Sequence, residues 1–220
     1  MILGTDCLGE HSLQKEAIVE ALDLLGLEQA LLVVDEDRGG ADLAGVLTAA
    51  VRSAPGQEPR AIQVAAMVRA SLLIVEPTVE EDVEGVCRRL YELSKVTQGL
   101  PLALLAPREG PLCETDALCL VFEDLTKVNL GYWHRPARVH GLGQKDSQWM
   151  EDLGRWVVGW SLDDVQGEQE GLPPGLGEID FSVLAELHGR SVQTALDLSP
   201  VSEIELLRMT LGYLKEAGFS

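Results

Sequence analysis

Positive charge is scarce in this chain. Its 220 residues hold 17 Lys and Arg against 36 Asp and Glu, a net charge of −19. So acidic a surface repels nucleic-acid phosphates and anionic lipid at long range, which disfavours nonspecific binding to either. Long apolar runs are missing too. None approaches the roughly 20 residues that a membrane-spanning helix needs, and Met1–Glu10 lacks the basic-then-apolar layout of a signal peptide. Cysteine is sparse: Cys7, Cys87, Cys113 and Cys119 form no C-x-x-C pair and have no His at zinc-ligand spacing. Reduced thiols of a cytoplasmic protein are expected, and no metal site. His134 and His140 stand six apart, outside the i, i+4 spacing that puts two ligands on one helix face. No nucleophile elbow, G-x-G-x-x-G or H-E-x-x-H occurs, nor any His/Asp/Ser set that spacing can support. The expectation is a chain with no cofactor and no catalytic constellation, not an enzyme.

What is present suits a domain of ordinary size, with 46% apolar and 24% charged residues. Short unbroken apolar runs at Ala30–Val34, Ser71–Val75 and Leu100–Ala106 read as buried strands. Arg60–Ala66, Asp116–Phe122 and Ala137–Leu142 read as further strands. Helical spacing predicts helices over Ser12–Gly26, Asp42–Arg52 and Ser147–Trp160, with Trp149, Trp156 and Trp160 on one seam. Another follows the capping-box pattern Thr78-Val-Glu-Glu81 to about Val96. Alternating strands and helices predict an α/β fold: a three-layer, largely parallel sheet with helices on both faces, over residues 1–162. Residues 163–180 hold six acids, no bases, four Gly and two Pro, the composition of a linker. Residues 181–220 read as a small helical module, with helices over Phe181–His188, Ser191–Leu198 and Pro200–Ala217.

Leu31-Leu-Val-Val34 with its Gly-containing loop, Ser71–Thr78 with the helix after it, and Gly99–Ala106 together resemble the small GTPase fold. The departures are chemical. The loop Asp35–Asp42 has Gly39-Gly40 but no Lys and no Ser or Thr, where a phosphate-binding loop needs both, and its acids would repel a triphosphate. Ala106-Pro-Arg-Glu109 lacks the Asn, Lys and second Asp of a guanine-reading motif. The resemblance therefore implies a degenerate member without nucleotide hydrolysis. Nucleotide-dependent switching and a receiver-like domain, with Asp35–Asp37 imitating its acidic cluster, are the alternatives. His188–Val192 through Leu214–Phe219 resembles a bacterial winged-helix module. Glu203 and Glu205 in its third helix would face phosphates, so protein docking is expected there ahead of transcriptional regulation.

Residues 125–145 stand apart. They carry Lys127, Arg135, Arg138 and Lys145 with no acid, and include Tyr132, Trp133 and His134. Arg, Tyr and Trp dominate binding hot spots. Tyr132, Trp133, His134, Arg135 and Arg138 are the expected partner-binding residues, although the aromatic pair also fits a core anchor. The sequence alone thus reads as a cytoplasmic adaptor or regulatory subunit that binds a protein partner or a second copy of itself.

Overall fold

Ala30–Val34 and its like are apolar at every position, so such segments are stable only where both faces are covered. A computed structural model describes residues 1–11, 14–35, 43, 45–188, 192–200 and 203–219 and gives them that setting. Strands β1 (Ile2–Gly4), β2 (Ala30–Val34), β3 (Thr48–Ser53), β4 (Leu72–Val75), β5 (Leu102–Leu105), β6 (Leu130–His134) and β7 (Val157–Leu162) lie side by side in chain order. An antiparallel hairpin, β8 (Asp164–Gln166) and β9 (Gln169–Leu172), leaves the sheet. Strand β10 (Gln193–Leu196) then pairs in parallel with β7 and with β1, through Ile2↔Ala195 and Leu3↔Leu196, and closes an eight-stranded parallel barrel.

Side-chain alternation divides each strand between two cores. Leu31, Leu72, Ile74, Ala103, Leu105, Trp133 and Ala195 form one apolar cluster made of strand residues alone, the barrel interior. Their neighbours Leu32, Leu73, Val75, Leu102, Leu104 and Tyr132 join the outer core with the helices. Those helices are α1 (Lys15–Leu25), α2 (Glu58–Val68), α3 (Val83–Val96), α4 (Thr115–Asp124), α5 (Pro136–Gly141), α6 (Asp146–Leu153), α7 (Phe181–Leu187) and α8 (Ile204–Ala217). Their ends follow local chemistry. Asp82 caps α3 by accepting from the Gly85 amide at 2.8 Å, and Asp180 caps α7. Gly26 and Gly218 close α1 and α8 in the left-handed conformation.

Several expectations are corrected. The sheet is a closed barrel, not an open layer between helices, so neither the GTPase-like reading nor the winged-helix reading of the tail stands. Arg60–Ala66, Asp116–Phe122 and Ala137–Leu142 lie in helices α2, α4 and α5. In α4 the buried residues Leu118, Val121 and Phe122 fall at helical spacing, and that one-sided burial decides against a strand. The helix expected up to Arg52 is β3 over Thr48–Ser53, and its proposed cap Asp42 lies outside the described residues, as do residues 36–41 of the expected phosphate loop. Ser147–Trp160 breaks after Leu153: Trp149 belongs to α6 and Trp160 to β7. The acidic segment 163–180 carries β8 and β9, and Gln193–Leu196, read as helix, supplies the eighth stave of the barrel.

Trp133 is the largest side chain in the barrel interior and is fully buried. Its register partner on β7 is Gly159, and a Cβ there would stand inside the indole ring. Gly159→Ala should therefore destabilise the fold by about 3 kcal/mol, because a ring enclosed on all sides has nowhere to move. Urea unfolding of the two proteins measures the difference.

Candidate functional site

Six of the eight barrel strands place polar residues at the carboxyl-terminal rim. Asp6 follows β1, Arg52 lies near the end of β3, Glu76 follows β4, and Arg135 follows β6. Ser161 and Asp163 come from β7 and the residue after it, and Asp197 follows β10. Parallel strands aim all of these at one mouth.

Two ion clusters fill it. In the first, Arg52 donates to Asp197 and, at 3.0 Å, to Asp6. Asp197 also accepts from the Ser161 hydroxyl at 2.8 Å, and that hydroxyl accepts from the Trp133 indole N–H at 2.8 Å. The ring that plugs the barrel is thus tied to the charged rim. In the second, Arg135 grips Asp163 with two hydrogen bonds, Nε to Oδ1 at 3.0 Å and Nη2 to Oδ2 at 2.7 Å. The Gly171 amide donates to the same carboxylate, which fastens the β8–β9 hairpin over the mouth. Arg138, from α5, donates to the Ala106 carbonyl at 2.6 Å and to Glu76 at 3.0 Å. Glu170 of the hairpin lies 3.2 Å from Arg138, 3.3 Å from Arg108 and 3.8 Å from Arg135.

Burial makes these charges consequential. Arg52, Arg135, Arg138, Asp163 and Asp197 are all 9% exposed or less, where an ion survives only if paired. Burial alone would raise the Asp197 carboxyl, but Arg52 and Arg135 outweigh it and hold the group below the usual carboxylate range. Burial likewise works against the Arg135 cation, and Asp163, Asp197 and Glu170 more than compensate, so its pKa is raised.

The five residues expected to meet a partner are all buried. Tyr132 and His134 face outward, beneath α4 and α6. Tyr132 meets the rings of Phe122 and Trp149, and His134 Nε2 lies 2.7 Å from Asp146. Trp133 points into the barrel, and Arg135 and Arg138 enter the mouth. An exposed contact loop is therefore not what they form. Asp6, Arg52, Glu76, Ser161, Asp163, Glu170 and Asp197 went unnoticed in the sequence. For Glu76 and Asp163 the signal was an acid at the end of an apolar stretch, as in Leu72–Val75 then Glu76; Glu170, in Gln169-Glu-Gly171, had none.

No protein-family model matches the sequence, and no curated protein is similar to it. Solved structures do match in fold. A xylose isomerase domain-containing protein from Salmonella typhimurium LT2 superposes with a TM-score of 0.79 at 13% identity, covering 97% of this chain and 96% of that one. A probable 3-DHS dehydratase from Bacillus anthracis gives 0.78 at 8% identity, covering 98% and 99%. A D-tagatose 3-epimerase-like protein gives 0.73 at 15% identity, covering 97% of both. The chain spans 42% of a xylose isomerase-like TIM barrel/4-hydroxyphenylpyruvate dioxygenase fusion protein, with a TM-score of 0.76 at 17% identity. The fold is thus a TIM barrel, similar to the barrels of these proteins. A barrel shared with epimerases, isomerases and a dehydratase overturns the expectation of a non-catalytic adaptor, and in such barrels active sites sit at the carboxyl-terminal mouth.

One structure of this fold, an IOLI protein (TM-score 0.70, 14% identity), holds a zinc atom. The described residues do not fit that group. Among the described residues no three His, Cys, Asp or Glu side chains converge as a metal site. Asp6, Glu76, Asp163, Glu170 and Asp197 each already take a guanidinium.

The pairing predicts a pH dependence. A carboxyl whose folded pKa lies below its unfolded value stabilises the fold fully at neutral pH, and the contribution is lost as pH falls below about 4. Asp197→Asn lacks that contribution at every pH. Its deficit against the wild type, read by urea unfolding, should be largest at neutral pH and shrink as pH falls from about 4.

Proposed function

We propose that this chain is an enzyme of the isomerase, epimerase or dehydratase kind, which moves a proton at a carbon of a small hydroxylated substrate. The observation that carries the reading is the mouth itself: guanidiniums interleaved with carboxylates at the end of a barrel where this fold places its chemistry. Removing a proton beside a carbonyl needs a base and a fixed positive field for the oxygen that becomes negative. Arg52 and Arg135 supply such a field without reorganising. The side chains of Asp6 and Glu76 are 20% and 25% exposed, against 8% or less for Asp163, Glu170 and Asp197. They are the network's most reachable carboxylates and the assigned proton-transfer groups. A substrate with a carboxylate or phosphate of its own would meet Arg108 at the rim, whose side chain is 65% exposed. Four free thiols, with no helix among the described residues long and apolar enough to cross a membrane, fit a cytoplasmic enzyme.

The test needs no knowledge of the product. A panel of aldoses, ketoses, sugar acids and sugar phosphates is incubated with the protein in heavy water and followed by proton NMR. One class should lose a carbon-bound proton signal through exchange. Glu76→Gln or Asp6→Asn should slow that exchange by about 100-fold or more while the fold persists. No exchange above buffer anywhere in the panel would overturn the reading.

A further inference from the structure

We propose that fixed guanidiniums, Arg135 backed by Arg52, hold the carboxylates of this mouth among the described residues as standing counter-ions, so that those carboxylates take no divalent cation. The claim concerns binding and holds whatever substrate is turned over, so it stands or falls separately from the proton-transfer reading.

Three observations carry it. Arg135 leaves the end of β6 with its planar fork on Asp163 at 3.0 and 2.7 Å and lies 3.8 Å from Glu170, so one cation draws in carboxylates from two elements. Arg52 does the same between β1 and β10, holding Asp6 and Asp197. Arg138 takes Glu76, Glu170 and the Ala106 carbonyl. Asp6, Glu76, Asp163, Glu170 and Asp197 are therefore each bonded to a guanidinium nitrogen. A dication would have to strip two or more of these carboxylates from their partners. It would then sit beside three guanidiniums that cannot lose their protons. An arginine fork satisfies carboxylates bidentately and stays charged at every relevant pH, which lets it act as a permanent, non-exchanging cation.

The experiment uses the full chain, stripped with EDTA and titrated with Zn²⁺, Mn²⁺ and Mg²⁺ by calorimetry and thermal melting. A ligand at about a hundred times its dissociation constant would raise the melting temperature by several degrees. The expected result for the wild type is no rise. Arg135→Met leaves Asp163 and Glu170 without their shared cation, so it should melt lower than the wild type and recover part of the loss when Mn²⁺ or Zn²⁺ is added. Arg135→Lys keeps the charge without the fork and should remain indifferent to metal, which preserves the comparison if the methionine variant does not fold. Micromolar or tighter metal binding by the wild type, lost in Asp197→Asn, would overturn the proposal. So would an Arg135→Lys protein that gains metal-dependent stability.

Discussion

The ion pair between Arg52 and Asp197 is the contact on which the rest of the mouth depends. It joins residues 145 apart in sequence, from the third and the last strands of the barrel. Asp197 cannot be buried without it, and through Asp197 it orders Ser161 and then the Trp133 indole. The backbone has conformed to that position. A Cβ on Gly4 would press on the Leu196 carbonyl and the Asp197 Cα, so the first strand approaches the last only because it ends in glycine. The chain is built to bring a buried carboxylate to a buried guanidinium.

Such a design is poor value as stabilisation. Desolvating an ion pair can cost as much as its mutual attraction returns, and well-packed apolar residues of the same volume often do as well or better. The barrel interior, with Leu31, Ile74, Leu105 and Trp133, shows that the protein fills space with hydrocarbon elsewhere. Charge is confined to the rim. Departures from economical packing concentrate where a molecule works on something else, and here the departure is a layer of guanidiniums and carboxylates one residue thick.

Much of the scaffold could be read from the residues. Runs such as Ala30–Val34 and Leu102–Leu105 are strands because no other element hides apolar side chains on both faces, and Gly26 and Gly218 end helices where expected. Asp116–Phe122 reads as a strand because a short apolar run satisfies either period, and only packing against the barrel selects the helix. Gln193–Leu196 begins with Gln and Thr and so forms no unbroken apolar run; it reads as part of a helix over Ser191–Leu198, and the strand that closes the barrel is missed with it. Arg135 and Arg138 stood out as basic residues in an acidic chain, but their meaning lay in Asp163 and Glu170, 28 and 32 residues away. Ion pairs between different strands leave no local pattern, so residues that read as a surface patch belong to the buried charged rim of the barrel.

Closure by β1 has a consequence for the life of the chain. The three residues Ile2–Gly4 find one neighbour in β2, about 27 positions on, and the other in β10, nearly the whole chain away. During synthesis β1 can lean on β2, but its second edge stays open until β10 has left the ribosome. For that interval the growing sheet has two raw edges able to pair with another chain. Closure of the barrel thus waits on the stretch from β7 to β10, which supplies the partner of both open edges.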